Sequence, residues 1–319
     1  MTMSLKYNFF LLILISYCFS ITTHSLQHDL TPPNNLQHLT NLFPHLSFNK
    51  SFSYFFGSQN IQILDNGSYI NIILNKVSGS GFKSLDMYYY GFFSASIKLP
   101  STYSAGVVVA FYMSNSEVYP KKHDELDIEL LGHEKRKEWV LQTNVYGDGS
   151  VSTGREEKFY LWFDPSQQFH EYTIIWNPHH IVFMVDNIPV REVNHSEAMS
   201  TAYPSKPMSI FSTIWDGSDW ATHGGKKPVN YNFAPFIASF KEMEMEGCVW
   251  NQSNSSNYNC SNNNGDHSVP MGINPIEGEQ FVKLSEEQKM GMKWVRDKFM
   301  FYSYCKDLNR FKILPPECK

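Results

Sequence analysis

His123-Asp124-Glu125-Leu126-Asp127-Ile128-Glu129-Leu130-Leu131-Gly132 lays an acidic ladder on an apolar one. Read with a period of two, Glu125, Asp127 and Glu129 share one face and Leu126, Ile128 and Leu130 the other. Three neighbouring acids repel one another and add nothing to a core. A sheet whose back is buried by the three aliphatic residues can nonetheless hold them rigidly in a cleft. Two carboxylates flanking a sugar, one ionised and one protonated, are what retaining glycoside hydrolysis requires. Two other readings compete locally. In a helix, Glu125 and Glu129 form an i,i+4 like-charge pair on a solvated face, the commoner reading for an isolated E-x-D-x-E. Clustered carboxylates also suit calcium, but neither an EF-hand loop nor its glycine is present at the required spacing. The surrounding chain decides, because it is overwhelmingly strand-like.

Working outward, short apolar or alternating runs occupy residues 61–64, 69–74, 91–99, 106–113, 139–146, 158–163, 171–176, 181–185, 188–193, 208–215 and 236–245. Asp65-Asn66-Gly67 and Asp186-Asn187 sit between neighbouring runs as hairpin turns. His179 and His180 follow Pro178 and read as a turn. Many strands at regular spacing with almost no helical period predict an all-β fold, a curved antiparallel β-sandwich of jelly-roll type with one wet face. The character changes near Cys248. Residues 251–266 are rich in Asn and Ser, and Ser285-Glu286-Glu287-Gln288 reads as a capping box opening a helix to about Phe299. Trp294, Val295 and Phe299 form its apolar face.

The 319 residues suit one large domain plus an appendage. A net charge of −5 without a basic stripe argues against nucleic acid. Aromatics at 15% suit sugar stacking, although most must be core. Lys6, an apolar run over residues 9–19 and small polar residues over 20–25 read as a secretory signal peptide, assigned to residues 1–24. No membrane segment is expected after it. The catalytic domain is assigned to 25–232 and a C-terminal extension with disulfides, helix and acceptor side of the groove to 233–319. Of five cysteines, Cys18 falls in the leader and leaves Cys248, Cys260, Cys305 and Cys318, with three possible pairings. The local pairs Cys248–Cys260 and Cys305–Cys318 are the simplest, each worth about 3 kcal/mol by chain entropy. Their spacings are too wide for zinc knuckles. Asn49, Asn66, Asn194, Asn251, Asn254 and Asn259 open glycosylation sequons.

The segment from His123 to Gly132 resembles the signature of plant xyloglucan endotransglucosylase/hydrolases, in the glycoside hydrolase clan that contains the lichenases. The resemblance extends to Ser78-Gly79-Ser80-Gly81-Phe82, Leu141-Gln142-Thr143-Asn144, Leu161-Trp162-Phe163-Asp164-Pro165, Asp219-Trp220-Ala221-Thr222 with Gly224-Gly225, and Tyr304-Cys305-Lys306-Asp307 with Arg310. It implies Glu125 as nucleophile, Glu129 as acid/base and Asp127 as auxiliary carboxylate. It further implies a groove of Tyr112, Gln142, Thr143, Asn144, Gly154, Arg155, Glu156, Trp215, Asp219, Trp220, Gly224, Tyr302 and Arg310. On a regular strand only alternate members of Gln142-Thr143-Asn144 can face such a groove. The implied protein is a secreted, monomeric enzyme of the cell wall or apoplast, without metal or cofactor, with xyloglucan as donor and xyloglucan or water as acceptor. Three departures stand out. No sequon follows Gly132, three extra residues sit within 116–122, and Ile128 and Leu130 replace two Phe residues. They resemble the family's third group, some of whose members act mainly as hydrolases, so hydrolysis is expected to take a substantial share of turnover.

A straight strand separates i and i+4 by about 13 Å at the backbone, whereas retaining carboxyls stand about 5–5.5 Å apart. Long Glu side chains leaning together on a curved strand close much of that gap. Like-charge proximity should raise the Glu129 pKa and keep it protonated for the first step. A lectin-like sandwich that binds glycan without cleaving it is the rival reading, but it has no need of both Glu125 and Glu129. A mixed-linkage β-glucanase is a third, and the four-cysteine C-terminal region counts against it.

Overall fold

A computed structural model describes residues 36, 38–135, 138–150, 153–250, 276 and 278–319. The leader, Asn251, Asn254, Asn259 and Cys260, and with it the Cys248–Cys260 pairing, lie outside them. The described strands are β1 (Phe52–Phe56), β2 (Ile61–Leu64), β3 (Tyr69–Leu74), β4 (Ser80–Ser84), β5 (Tyr88–Lys98), β6 (Val107–Ser114), β7 (Glu125–Leu131) and β8 (Val140–Tyr146). Then follow β9 (Glu157–Tyr160), β10 (His170–Trp176), β11 (His180–Val185), β12 (Ile188–Asn194), β13 (Ser209–Asp216), β14 (Phe236–Val249) and β15 (Met300–Ser303). Two antiparallel sheets form, in the orders β1-β4-β13-β6-β7-β8-β9-β15 and β12-β11-β10-β5-β14-β3-β2.

Alternation marks β3, whereas strands such as β6 and β11 are buried along almost their whole length. In β3, Ile70, Ile72 and Leu74 are buried while Tyr69, Asn71 and Ile73 are less so. In β7, Leu126, Ile128 and Leu130 are buried in the main core with Phe111, Trp139 and Leu141. Each such side chain gains about 1.5–3 kcal/mol on burial. A one-residue slip of β7 would exchange them for three acids, so the register is strongly fixed. Asp65 and Asn66 (φ 48° and 56°), and Asp186 and Asn187 (φ 49° and 60°), take the left-handed conformations that turn β2 into β3 and β11 into β12.

Strands β1, β4 and β15 are additional to those read from the sequence, and β9 ends at Tyr160. β4, Ser-Gly-Phe-Lys-Ser, has little intrinsic strand preference; pairing with β1 and β13 on both sides holds it extended. His180 lies in a strand, its ring nitrogens 2.6 Å from Glu192 Oε1 and 2.7 Å from the Phe281 carbonyl. β14, on the C-terminal side of the division at 232/233, pairs with β3 and β5 in the middle of the seven-stranded sheet.

The C-terminal helix, Glu286–Lys298, begins with the expected reciprocal cap between Ser285 and Gln288. It buries Val295 and is tied inward by Arg296, whose two terminal nitrogens donate to Glu157 at 2.6 and 2.9 Å. β15 then adds to β9 at the sheet edge, and Cys305–Cys318 forms the expected disulfide.

Candidate active site

Cross-strand register assembles the outer face of the eight-stranded sheet into rows. Ser114, Glu125 and Tyr146 form one; Lys83, Phe211, Tyr112, Asp127 and Asn144 the next. The third runs Gly81, Thr213, Ala110, Glu129, Gln142, Lys158 and Tyr302. On one side of Glu129 this row is built of small side chains. It lies between the Tyr112–Phe211 stack (centroids 5.0 Å apart) and Trp215, which leans on Val108, Leu131 and Val140. On the other side of Glu129 it is polar.

The start of β7 is rigidly anchored. Buried Asp124 accepts from the backbone N–H groups of Asp148, Ser205 and Lys206 at 2.8–2.9 Å and from Lys206 Nζ at 2.7 Å. Its neighbours on the outer face are thereby fixed in place.

The three acids differ in environment. Burial raises Glu125 above the ordinary carboxyl range, opposed by the Ser114 hydroxyl and by His123, whose Nε2 lies 4.0 Å from Oε2. Asp127 is pushed well up by burial and then by Glu125, Glu129 and Glu156. Glu129 is raised to about 7, first by burial; the Gln142 amide that donates to Oε2 opposes this, Glu125 and Glu156 add to it, and Lys158 lowers it. Each glutamate thus has one hydrogen-bonding neighbour and one basic neighbour, Ser114 and His123 at Glu125 and Gln142 and Lys158 at Glu129. Glu129 is poised to exchange a proton near neutrality. Tyr112 is raised by its burial and then by these acids, and stays a neutral phenol.

The remaining expected residues divide. Gln142 lies beside Glu129, and Asn144 beside Asp127, where it donates to the Tyr146 hydroxyl (2.7 Å) and accepts from the Arg155 backbone N–H (2.7 Å). Thr143 does not join them: it points between the sheets, fully buried, and accepts from Arg191 Nη1 at 3.1 Å. Strand alternation requires this. Arg155 also turns away from open surface, with a buried Nε donating to Glu317 Oε1 at 2.6 Å, so it fastens the C-terminal tail. Glu156, Arg310 and Tyr302 do assemble. Arg310 donates to Glu156 at 2.6 Å, Tyr302 to Asp307 at 2.9 Å, and a Cβ on Gly154 would lie 2.3 Å from the Arg310 guanidinium. Trp215 and Trp220 face each other at 6.0 Å on the same side as the acids; Asp219 and Gly224 are exposed on the adjoining loop. Asn49, Asn66 and Asn194 are exposed.

Lys158, absent from the expected set, sits over the Tyr302 ring (5.7 Å) between Glu129 and the C-terminal cluster. Its signal was alternation: Glu157 points inward to Arg191 and Arg296, so Lys158 must point out.

Comparison with known proteins identifies the family. Residues 48–233 match glycosyl hydrolases family 16, and residues 274–318 match the xyloglucan endo-transglycosylase (XET) C-terminus. Probable xyloglucan endotransglucosylase/hydrolase protein 30 of Arabidopsis thaliana is 46% identical over 86% of this chain and 77% of its own length. Xyloglucan endotransglucosylase/hydrolase protein 31 of the same plant is 37% identical over 91% and 94%. Among solved structures, the Crh5 transglycosylase shares the fold (TM-score 0.53, 19% identity, 72% of this chain and 93% of that one). So does the endo-1,3-β-glucanase of Thermotoga petrophila (0.52, 15%, 68% and 99%). With its sandwich and its C-terminal segment both matched, the chain belongs to glycosyl hydrolases family 16, among the xyloglucan endotransglucosylase/hydrolases.

Proposed function

We propose that this enzyme cleaves the β-1,4-glucan backbone of xyloglucan with retention and transfers the new end to another xyloglucan chain or to water. The carrying observation is the placement of Glu125, Asp127 and Glu129 on one outer strand face, beside Ser114, Tyr112 and Gln142, with Glu129 raised to about 7. Glu125 attacks the anomeric carbon as Glu129 protonates the departing glycosidic oxygen, leaving a glycosyl-enzyme. Glu129, now ionised, takes the proton of the incoming hydroxyl as that oxygen displaces Glu125. Asp127, kept protonated by burial, donates a hydrogen bond toward the nucleophile rather than competing with it. Water is abundant, so transfer prevails only where an acceptor sugar is held at high effective molarity. The Glu156, Lys158, Tyr302 and Arg310 cluster is the part of the face suited to hold it.

The apolar leader and the exposed sequons at Asn49, Asn66 and Asn194 support secretion to the cell wall. No helix among the described residues is long and apolar enough to cross a membrane. Incubation with xyloglucan, with and without labelled xyloglucan oligosaccharide, tests the reading through polymer size, label incorporation and anomer analysis. The expected results are first-formed β-anomers, label transfer, and steady loss of viscosity even without added acceptor. Early α-anomers would refute retention. Depolymerisation strictly dependent on added oligosaccharide would remove the hydrolytic share. Full activity in Glu125→Ala would refute the nucleophile.

A further inference from the structure

His133, Glu134 and His223 present their ligating atoms within 4.8 Å of one another, just beyond the end of β7. Ninety residues apart in sequence, the two imidazoles meet because the buried Thr222 hydroxyl ties the segment before His223 to the segment before His133. The Thr222 hydroxyl donates to the Gly132 carbonyl (2.8 Å) and accepts from the Gly106 N–H (2.8 Å), while the Ser104 N–H donates to the His133 carbonyl (3.1 Å). The rings pack edge to face with centroids 4.9 Å apart. His223 holds a left-handed backbone (φ 52°) ahead of Gly224 and Gly225 (φ 65° and 82°).

We propose that these residues form a site for a divalent transition metal of the zinc type. Two imidazole nitrogens and a carboxylate oxygen are a donor set suited to such ions and poorly suited to calcium or magnesium, which take oxygen ligands. His133 Nδ1 is buried and makes no hydrogen bond among the described residues, although Glu138 Oε2 stands 3.1 Å away in an unfavourable orientation. Metal–ligand bonds of about 2.0–2.2 Å require the three donors to draw together. Glu134 and the half-exposed His223 have room to do so. The competing charges are Lys227, 2.7 Å from Glu134, and Lys135, 2.8 Å from Glu138. A bound ion takes Glu134 from Lys227, leaving that ammonium to solvent. The ion would pin the 217–227 loop, which carries Trp220, to the residues following the catalytic strand. This inference is independent of the reaction assigned above.

The test is calorimetric titration of the chelator-treated full enzyme with Zn2+, with Mg2+ as control, beside the variants His133→Asn, His223→Asn and Glu134→Gln. Hydrogen exchange of residues 217–227 is followed with and without Zn2+. The expected result is one saturable Zn2+ equivalent without Mg2+ binding, and slowed exchange in the loop. Each histidine variant should lose at least the roughly 10–100-fold in affinity that removal of even an outer-shell partner costs. Asn tolerates the left-handed backbone, so His223→Asn should melt like the parent and report ligation alone. No saturable zinc binding, or a site that survives both histidine substitutions unchanged, would overturn the proposal.

Discussion

Replacing Gln142 by leucine should move the alkaline limb of the pH–rate profile without touching the nucleophile. In the parent, the Gln142 amide donates to Glu129 Oε2 and so favours the ionised form, against burial and the neighbouring Glu125 that together leave Glu129 at about 7. A hydrogen bond to a charged group contributes about 1.5–3 kcal/mol. At about 1.4 kcal/mol per tenfold, its loss holds the Glu129 proton on to a pH about one to two higher. Leucine also removes a polar neighbour, which acts in the same direction. In the proposed reaction the first chemical step needs Glu129 protonated, so activity should fall as pH rises through its pKa, and the variant's limb should shift to higher pH. The assay is kcat/KM for xyloglucan at saturating oligosaccharide, measured across the neutral and alkaline range. A limb that stays in place, or moves to lower pH, would show that Glu129 is not the acid, whatever happens to KM.

Arg310→Leu frees Glu156 and Tyr302 from their shared guanidinium; it should raise KM for the acceptor oligosaccharide while hydrolysis without acceptor is nearly retained, read by parallel transfer and viscosity assays. Glu157→Gln strips the partner of Arg191 and Arg296, whose side chains are 3% and 31% exposed, and should cost about 3 kcal/mol in urea unfolding, the low end for a buried pair because Arg296 keeps some water. Burial alone would raise Glu157, but Arg191, then Arg296 and Ser303, hold it below the ordinary range. Its contribution is therefore present above the unfolded pKa and lost as pH falls through the folded one, so acid unfolding of the parent should be steeper than that of Glu157→Gln. Cys305→Ser with Cys318→Ser opens a cross-link of sequence separation 13 and should cost about 3 kcal/mol by chain entropy, measured by thermal unfolding.

Much of the sandwich is legible in short apolar or alternating runs, strictly alternating in β2 and β3 and buried almost throughout in β6 and β11. The facing of Glu125, Asp127 and Glu129 against Leu126, Ile128 and Leu130 can be read directly from a period of two. The helix start is legible in Ser285 and Gln288. β4 is not, since Ser80-Gly81-Phe82-Lys83-Ser84 becomes a strand only through its two neighbours. The family resemblance assigns Thr143 and Arg155 to the groove, yet alternation turns Thr143 inward and the buried carboxylate of Glu317 claims Arg155. The same alternation would have pointed to Lys158. His133 and His223 belong to no local spacing pattern, and tertiary bonds through Thr222, Gly132, Gly106 and Ser104 bring them together.

The row from Glu129 to Tyr302 also works as a ruler. It crosses from β7 through β8 and β9 to β15, three inter-strand steps of about 4.8 Å, or about 14 Å in all. A β-1,4-glucan advances by a similar length per sugar, so a chain lying across the strands meets roughly one strand for each residue it extends. On the acceptor side proposed above, reach would then be quantised by strand count rather than tuned continuously by loops. β15, contributed by the C-terminal segment and clamped through Arg296 and Cys305–Cys318, is the last graduation, and under the proposed binding mode its loss should shorten the accommodated oligosaccharide by one sugar.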